Sequence, residues 1–262
     1  MTRVSLVRQV MGMPVSVHLR GTASAEARQR AGEAAYAELR EADRVFSTYR
    51  PDSDIRRLDR GQLALGGCDP AVAEVLALAE EARRRTGGYF HVRLPAPGGG
   101  WWLDPSGLVK GRAAERAARH LAELDGDDHY LNAGGDIAVH AAPGAPPWRI
   151  GIEHPDSPAT LLGVLSLRSG GVATSGTAHR GAHLVDPTTG RRPDALRSVT
   201  VVGPSLLWAD VYATAAFARG DGALDWLSGL DGYEGLVLTR TGAVRATPGM
   251  RALLVHAAAS AG

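Results

Sequence analysis

The chain has one cysteine, Cys68, among its 262 residues. No disulfide framework can form from it, and a cysteine-ligated zinc site is excluded. Cys68 lies in a Gly-Gly-Cys-Asp-Pro turn with no cation beside it, so it reads as structural, not as a reactive thiol. An excess of one charge is lacking too: 29 Lys and Arg stand against 28 Asp and Glu, a formal net charge of +1. Such a balance gives no electrostatic footprint for nucleic acid or for an anionic membrane surface. No apolar run approaches the roughly 18 residues of a membrane-spanning helix. The opening MTRVSLVRQVMGMPVSV holds no signal-peptide core of about 7–15 apolar residues. These absences lead to the expectation of a soluble, cytoplasmic protein. GxGxxG and the P-loop are also missing, so any nucleotide must be held another way.

What is present is a globular composition, with 44% hydrophobic residues and length enough for a sizeable core. No repeat and no linker divides the chain, which reads as a single domain over 1–262. Met11 to Arg20 alternates Val15, Val17 and Leu19 with Ser16 and His18, the pattern of a half-buried strand, and Pro14 suggests a sheet edge. Helices are expected over 23–45, 70–86 and 206–219, with Gly87-Gly88 stopping the second. Ser53 and Asp54 can cap a short helical turn. Residues 89–102, with their Gly and Pro, read as a loop. Strands are expected at 130–139, 148–154, 161–167, 198–203, 234–239 and near 253–255, and 171–190 reads as a polar, glycine-rich segment. Helices first and strands later is an α+β signature, not a regular βαβ alternation.

Three stretches carry chemistry. The first is LDPSGLVKGRAAERAARHL, residues 103–121. Asp104-Pro105 is helix-start chemistry, and Ala113, Ala114, Ala117, Ala118 and Leu121 recur at helical spacing. Lys110 sits in the first turns, where the helix dipole disfavours a cation by about 0.3–1 kcal/mol. Gly107 and Gly111 flank it and allow close approach of a backbone or a ligand. A cation, bare glycines and free helix N–H groups together suggest a phosphate site, while the stretch taken alone favours a capped surface helix with a solvated lysine. The second is ADVYATAA, in which Asp210 and Thr214 stand i, i+4 on one helix face. A carboxylate and a hydroxyl there can hold a hard cation such as Mg²⁺, or can be a capping Asp and an ordinary helical Thr. The third is HRGAHLVDPTTG, in which His183 is a general-base candidate or a histidine with a structural hydrogen bond.

Taken in order, these motifs resemble the ApbE-type flavin transferases, or FAD:protein FMN transferases. The family's Met-Gly-Thr is similar to Met11-Gly12-Met13, and its Phe-Ser-x-Tyr with a following Ser to Phe46-Ser47-Thr48-Tyr49 and Ser53. Its Asp-x-x-x-x-x-Lys-Gly helix start resembles Asp104 to Gly111, and its Leu-Asn-x-Gly-Gly-Asp matches Leu131 to Asp136. Its Ala-Thr-Ser-Gly, His-x-x-Asp-Pro-x-Thr-Gly and Ala-Asp-x-x-x-Thr match Ala173 to Gly176, His183 to Gly190 and Ala209 to Thr214.

The resemblance implies an α+β fold with mixed or antiparallel sheets packed with helices, and FAD in a cleft between two closely associated halves. It implies FAD contacts at Met11, Tyr49, Tyr89, Phe90, His91, Asp104 and Leu184, with Lys110 and Ser175 near the phosphates. It implies Mg²⁺ held by the Gly107 carbonyl, Asp210 and Thr214, with His183 as preferred base and Asp210 as second. The implied reaction moves FMN from FAD to a Ser or Thr hydroxyl of an acceptor protein and releases AMP. Hydrolysis of FAD to FMN and AMP, and non-catalytic flavin binding, stand as alternatives. The chain departs from the family pattern at Met13, His91 and Arg112, and its segment between His91 and Asp104 is short.

Overall fold

The computed structural model describes residues 2–96, 99–176 and 193–255. The chain opens with a hairpin, β1 (Thr2–Val10) and β2 (Met13–Gly21), closed by Met11-Gly12 at φ 55° and 70°. Positive φ at both positions lets a two-residue turn follow the strands' right-handed twist. Pro14 therefore does not mark an edge. β2 is internal, paired to β1 on one side and to a later strand on the other. That later strand pairs no further along than Val15, so the N–H that Pro14 lacks has no ladder partner to lose, while the Pro14 carbonyl accepts from Gly134 N at 3.2 Å.

Helix α1 (Ala25–Phe46) is capped by the Ser24 side chain, and α2 (Asp54–Asp59) by Ser53. Helix α3 (Pro70–Arg85) has Asp69 as its cap and Pro70 in its first turn. The segment after it is not wholly loop. It holds a small hairpin, β3 (Arg93–Pro95) and β4 (Trp101–Leu103), that three-residue strands with adjacent Pro and Gly do not reveal by pattern. Helix α4 (Ser106–Ala122) leads into β5 (Asp127–Ala133) and β6 (Asp136–His140). Strands β7 (Trp148–His154), β8 (Ser157–Leu167), β9 (Ser169–Gly176) and β10 (Leu196–Gly203) follow. Then come α5 (Leu206–Arg219), α6 (Ala223–Ser228), β11 (Glu234–Thr239), β12 (Val244–Ala246), α7 (Pro248–Leu253) and β13 (Leu254–Val255). No sequence pattern marks β1, the β9 portion of the glycine-rich segment or α7, and the strand expected over 130–139 is two, β5 and β6, broken by the positive-φ turn at Gly134-Gly135.

Three layers result. The central sheet has eight strands in the order β1-β2-β5-β6-β9-β10-β11-β12, and every neighbouring pair is antiparallel. One face carries the helices: Val17, Leu131, Ala138, Ala173, Val199 and Val201 pack with residues of α1, α3, α4 and α5 in the larger core. The other face, through Ile137, Val139, Val172, Val202 and Leu236, meets a second sheet ordered β13-β8-β7. The alternation of side chains along each strand makes this division: Ala138 faces the helices while Ile137 and Val139 face away. Asp136 and Ser175, each two residues from a helix-facing alanine, are thereby aimed at the helices. Among the described residues no helix is long and apolar enough to cross a membrane.

Candidate functional site

The site is built where the start of α4 meets α5 and the central sheet. Asp104 Oδ1 accepts from Ser106 N at 2.9 Å, and the Pro105 carbonyl accepts from Leu108 N and Val109 N. Those bonds fix the first turn and place Gly107 and Lys110 against α5. Gly111 is the point of closest approach: a Cβ there would lie 2.9 Å from Asp210 Cβ and from the Leu206 carbonyl oxygen. Gly111 N donates to Asp210 Oδ2 at 3.1 Å. Regular helical pairing assigns that N–H to the Gly107 carbonyl, so sharing it leaves acceptor capacity on Gly107.

Lys110 is buried, 7% exposed, and its ammonium lies 2.6 Å from Asp136 Oδ2 and 4.0 Å from Asp210 Oδ1. Lys110 and Asp136 Oδ2 form a buried ion pair at that distance, and among the described residues Asp136 Oδ2 has no other polar partner. Asp136 Oδ1 accepts from Thr174 N at 3.4 Å. The solvated-lysine reading of the sequence is thus set aside; the unfavourable end of the helix dipole is offset by a buried carboxylate on the sheet. One turn along α5 from Asp210, Thr214 Oγ1 lies 3.2 Å from Ser175 Oγ and 3.8 Å from where a Gly107 Cβ would be. Phe90 closes the same corner, its ring edge 3.4 Å from that position. Thr86 holds Phe90 there: its hydroxyl donates to the Ala82 carbonyl at 2.7 Å and accepts from Phe90 N at 3.0 Å.

The oxygen donors gathered here are the Asp210 and Asp136 carboxylates, the Thr214 and Ser175 hydroxyls and, one helical turn before Gly111, the Gly107 carbonyl; oxygens of these kinds are the hard ligands Mg²⁺ takes. Among the described residues no group of three or more His, Cys, Asp or Glu side chains is placed to hold a metal. Oxygen donors of this kind suit a hard cation such as Mg²⁺ and do not make an all-protein cage.

A family model described as the ApbE family matches residues 11–96 and 92–237. The chain belongs to the ApbE family. A FAD:protein FMN transferase of Rhodobacter capsulatus is 32% identical over 196 residues, covering 71% of this chain and 37% of that protein. The FAD:protein FMN transferase of Escherichia coli (strain K12) is 34% identical over 131 residues, covering 45% of this chain and 37% of that protein. The matched stretches thus span 37% of the length of these curated relatives. The ApbE protein of Thermotoga maritima superposes with a TM-score of 0.84 at 19% identity, over 96% of this chain and 99% of that one. The Pseudomonas stutzeri flavinyl transferase ApbE, in its apo form, gives 0.80 at 21% identity, over 96% of each chain. These likenesses establish the α+β fold.

In this ApbE chain, Phe90, Gly107, Lys110, Ser175, Asp210 and Thr214 lie together where the start of α4 meets α5 and β9. Met11 holds a left-handed φ in the β1–β2 turn. Beside that turn Met13 packs on Gly134, where a Cβ would meet Met13 Sδ at 2.7 Å. The Gly134-Gly135 turn therefore serves chain reversal and packing by Met13. Tyr89 lies under the Arg219 guanidinium at 4.2 Å, and Arg219 also stacks on Trp226 and donates to the Thr86 carbonyl at 2.8 Å. Burial lowers the Arg219 pKa from its ordinary value. Tyr49 is 87% exposed after α1, and His91 accepts from Arg93 N through Nδ1; no described contact joins either to the Lys110 cluster. His183 and Leu184 lie outside the described residues. Sequence reasoning missed Asp136, Thr86 and Arg219 as site-builders. One signal was available for Asp136: Lys110 opposes the helix dipole and has no acid three or four residues away, so its counter-charge had to come from elsewhere in the fold.

Proposed function

We propose that this chain is a Mg²⁺-dependent FAD:protein FMN transferase that esterifies FMN to a Ser or Thr hydroxyl of an acceptor protein. The supporting observation is the convergence of Gly107, Asp210 and Thr214 with the Lys110 ammonium at one helix start, in a chain of the ApbE family. Gly107, Asp210 and Thr214 would hold the metal, which would supply charge neutralisation to the FAD pyrophosphate. Lys110 supplies positive charge to the phosphate oxygens at the start of α4. Phe90 and Tyr89 supply apolar surface to the flavin nucleotide, together with Met11, Tyr49, His91 and Leu184. Asp104 takes the adenosine part.

In the reaction the acceptor hydroxyl oxygen bonds to the FMN-side phosphorus. The bond from that phosphorus to the bridging oxygen breaks, AMP departs with the bridging oxygen, and His183 takes the hydroxyl proton. Little covalent work falls to the protein; holding the pyrophosphate and the acceptor in line is the main contribution.

The test is mass spectrometry of the chain with FAD and Mg²⁺, with and without a peptide bearing a Ser or Thr acceptor motif. One FMN added to the peptide, with AMP released, is the expected outcome. Equal free FMN and AMP without labelling would make the activity FAD hydrolysis, and intact FAD in both tubes would make it flavin binding. His183→Ala should bind FAD nearly as the parent does and transfer slowly, and Asp210→Ala should lose metal-dependent turnover. Unchanged single-turnover rates in either would remove that residue from its role.

A further inference from the structure

The geometry points to Asp136 as a positioning residue that holds the Lys110 ammonium away from the metal ligand Asp210, and so sets the affinity of the site for a divalent cation. This rests on the metal reading above. Lys110 stands between two carboxylates, 2.6 Å from Asp136 Oδ2 and 4.0 Å from Asp210 Oδ1. The shorter contact belongs to the carboxylate assigned no ligand role. Asp136 is fully buried, and it is anchored by Thr174 N and by its place at the start of β6, just past the Gly134-Gly135 turn. Asp210 is reached from α5 and accepts from Gly111 N through Oδ2. The oxygen nearer Lys110 is Oδ1. An ammonium that closed from 4.0 Å to contact with Oδ1 would compete with a cation for the same carboxylate. A lysine stem is long and flexible enough to make that move, and the buried Asp136 carboxylate opposes it.

The arrangement gives two charges two separate tasks. Asp136 neutralises the lysine, so Lys110 does not draw on the Asp210 carboxylate and stays beside the start of α4. Removing the Asp136 charge should send Lys110 to Asp210 and weaken metal binding. Removing the lysine as well should restore it. A carboxylate that merely supported the fold would not produce that reversal.

The experiment is a Mn²⁺ titration of the full chain without FAD, with bound and free ion distinguished by electron paramagnetic resonance and the fold followed by circular dichroism. Asp136→Asn is expected to weaken Mn²⁺ binding about tenfold or more. The double variant Lys110→Met with Asp136→Asn is expected to bind within about threefold of the parent. Parent-like affinity in a folded Asp136→Asn chain would overturn the proposal, as would a double variant as weak as the single. If Asp136→Asn leaves a buried unpaired lysine and does not fold, the double variant decides alone, since it carries neither charge. Binding within about threefold of the parent then supports the proposal, and a tenfold loss overturns it. A parent chain that binds no Mn²⁺ would instead overturn the metal reading, and this proposal with it.

Discussion

A Cβ on Gly111 would lie 2.9 Å from the Leu206 carbonyl oxygen and 3.1 Å from Leu207 Cα, both backbone atoms of α5, and 2.9 Å from Asp210 Cβ. Neither helix can yield there without moving the other. Gly111→Ala gains about 1 kcal/mol of helix propensity, but overpacking of about 1–3 kcal/mol opposes it. We expect a net loss of stability in urea unfolding and, because Asp210 shifts with α5, weaker metal binding. His129 offers a pH-dependent counterpart. It is buried, its Nδ1 has no hydrogen-bond partner among the described residues, and its ring stacks on His140 at 5.4 Å. Desolvation, helped by His140 and opposed by Asp128, lowers its pKa from 6.5 to about 4. Between those values the unfolded chain binds a proton that the folded chain does not, so stability falls as pH falls through that window. The loss should reach about 2 kcal/mol between roughly pH 7 and pH 5. Urea unfolding at both values checks it, and His129→Gln should flatten the difference.

At the scale of elements, the placing of α1 depends on one buried ion pair. Arg28 Nε lies 2.6 Å from Asp127 Oδ2, and its Nη2 donates to Oδ1 at 3.1 Å. Asp127 Oδ1 also accepts from Ala23 N at 2.9 Å, so the carboxylate ties the start of α1 to the start of β5. Desolvation pushes the Asp127 pKa up, but the hydrogen bonds from Arg28 and from the backbone outweigh it and hold the carboxyl below its ordinary value. Arg28→Met strands a carboxylate whose side chain is 0% exposed, at a cost of about 3–5 kcal/mol. Replacing both members with apolar residues, Arg28→Met with Asp127→Leu, should recover most of that in the same denaturant titration.

At the scale of the whole molecule, the two cores have separate duties. The helix-side core carries Phe90, Leu108, Val109 and Val211, which surround the candidate site, whereas the second core lies across the central sheet. Leu165, 0% exposed on β8, belongs to that second core. Leu165→Ala should therefore destabilise the chain by about 2–5 kcal/mol through loss of burial and an unfilled cavity. Its Mn²⁺ affinity below the unfolding transition should match the parent's. A substantial change in metal affinity would mean that the two layers are energetically coupled through the sheet.

The sequence by itself determined the long elements and the residue types of the site. Helices over 206–219 and strands at 148–154 and 234–239 were legible because their periodicity or apolar runs are uninterrupted. The short β3–β4 hairpin and α7 carry too few residues for a period, and β1 carries too little apolar signal at an exposed edge. Asp210 and Thr214 were readable as one helix face because i, i+4 spacing is local geometry. The tertiary structure alone decided what that face meets. The partnership of Lys110 with Asp136 spans a helix and a strand, and the stacking of Arg219 on Tyr89 joins the end of α5 to the segment after α3. No local rule carries such pairs, because they form only when elements far apart in the chain are packed together: Asp136 meets Lys110 when alternate side chains of β6 are turned toward α4, and Arg219 meets Tyr89 when α5 packs beside the segment after α3.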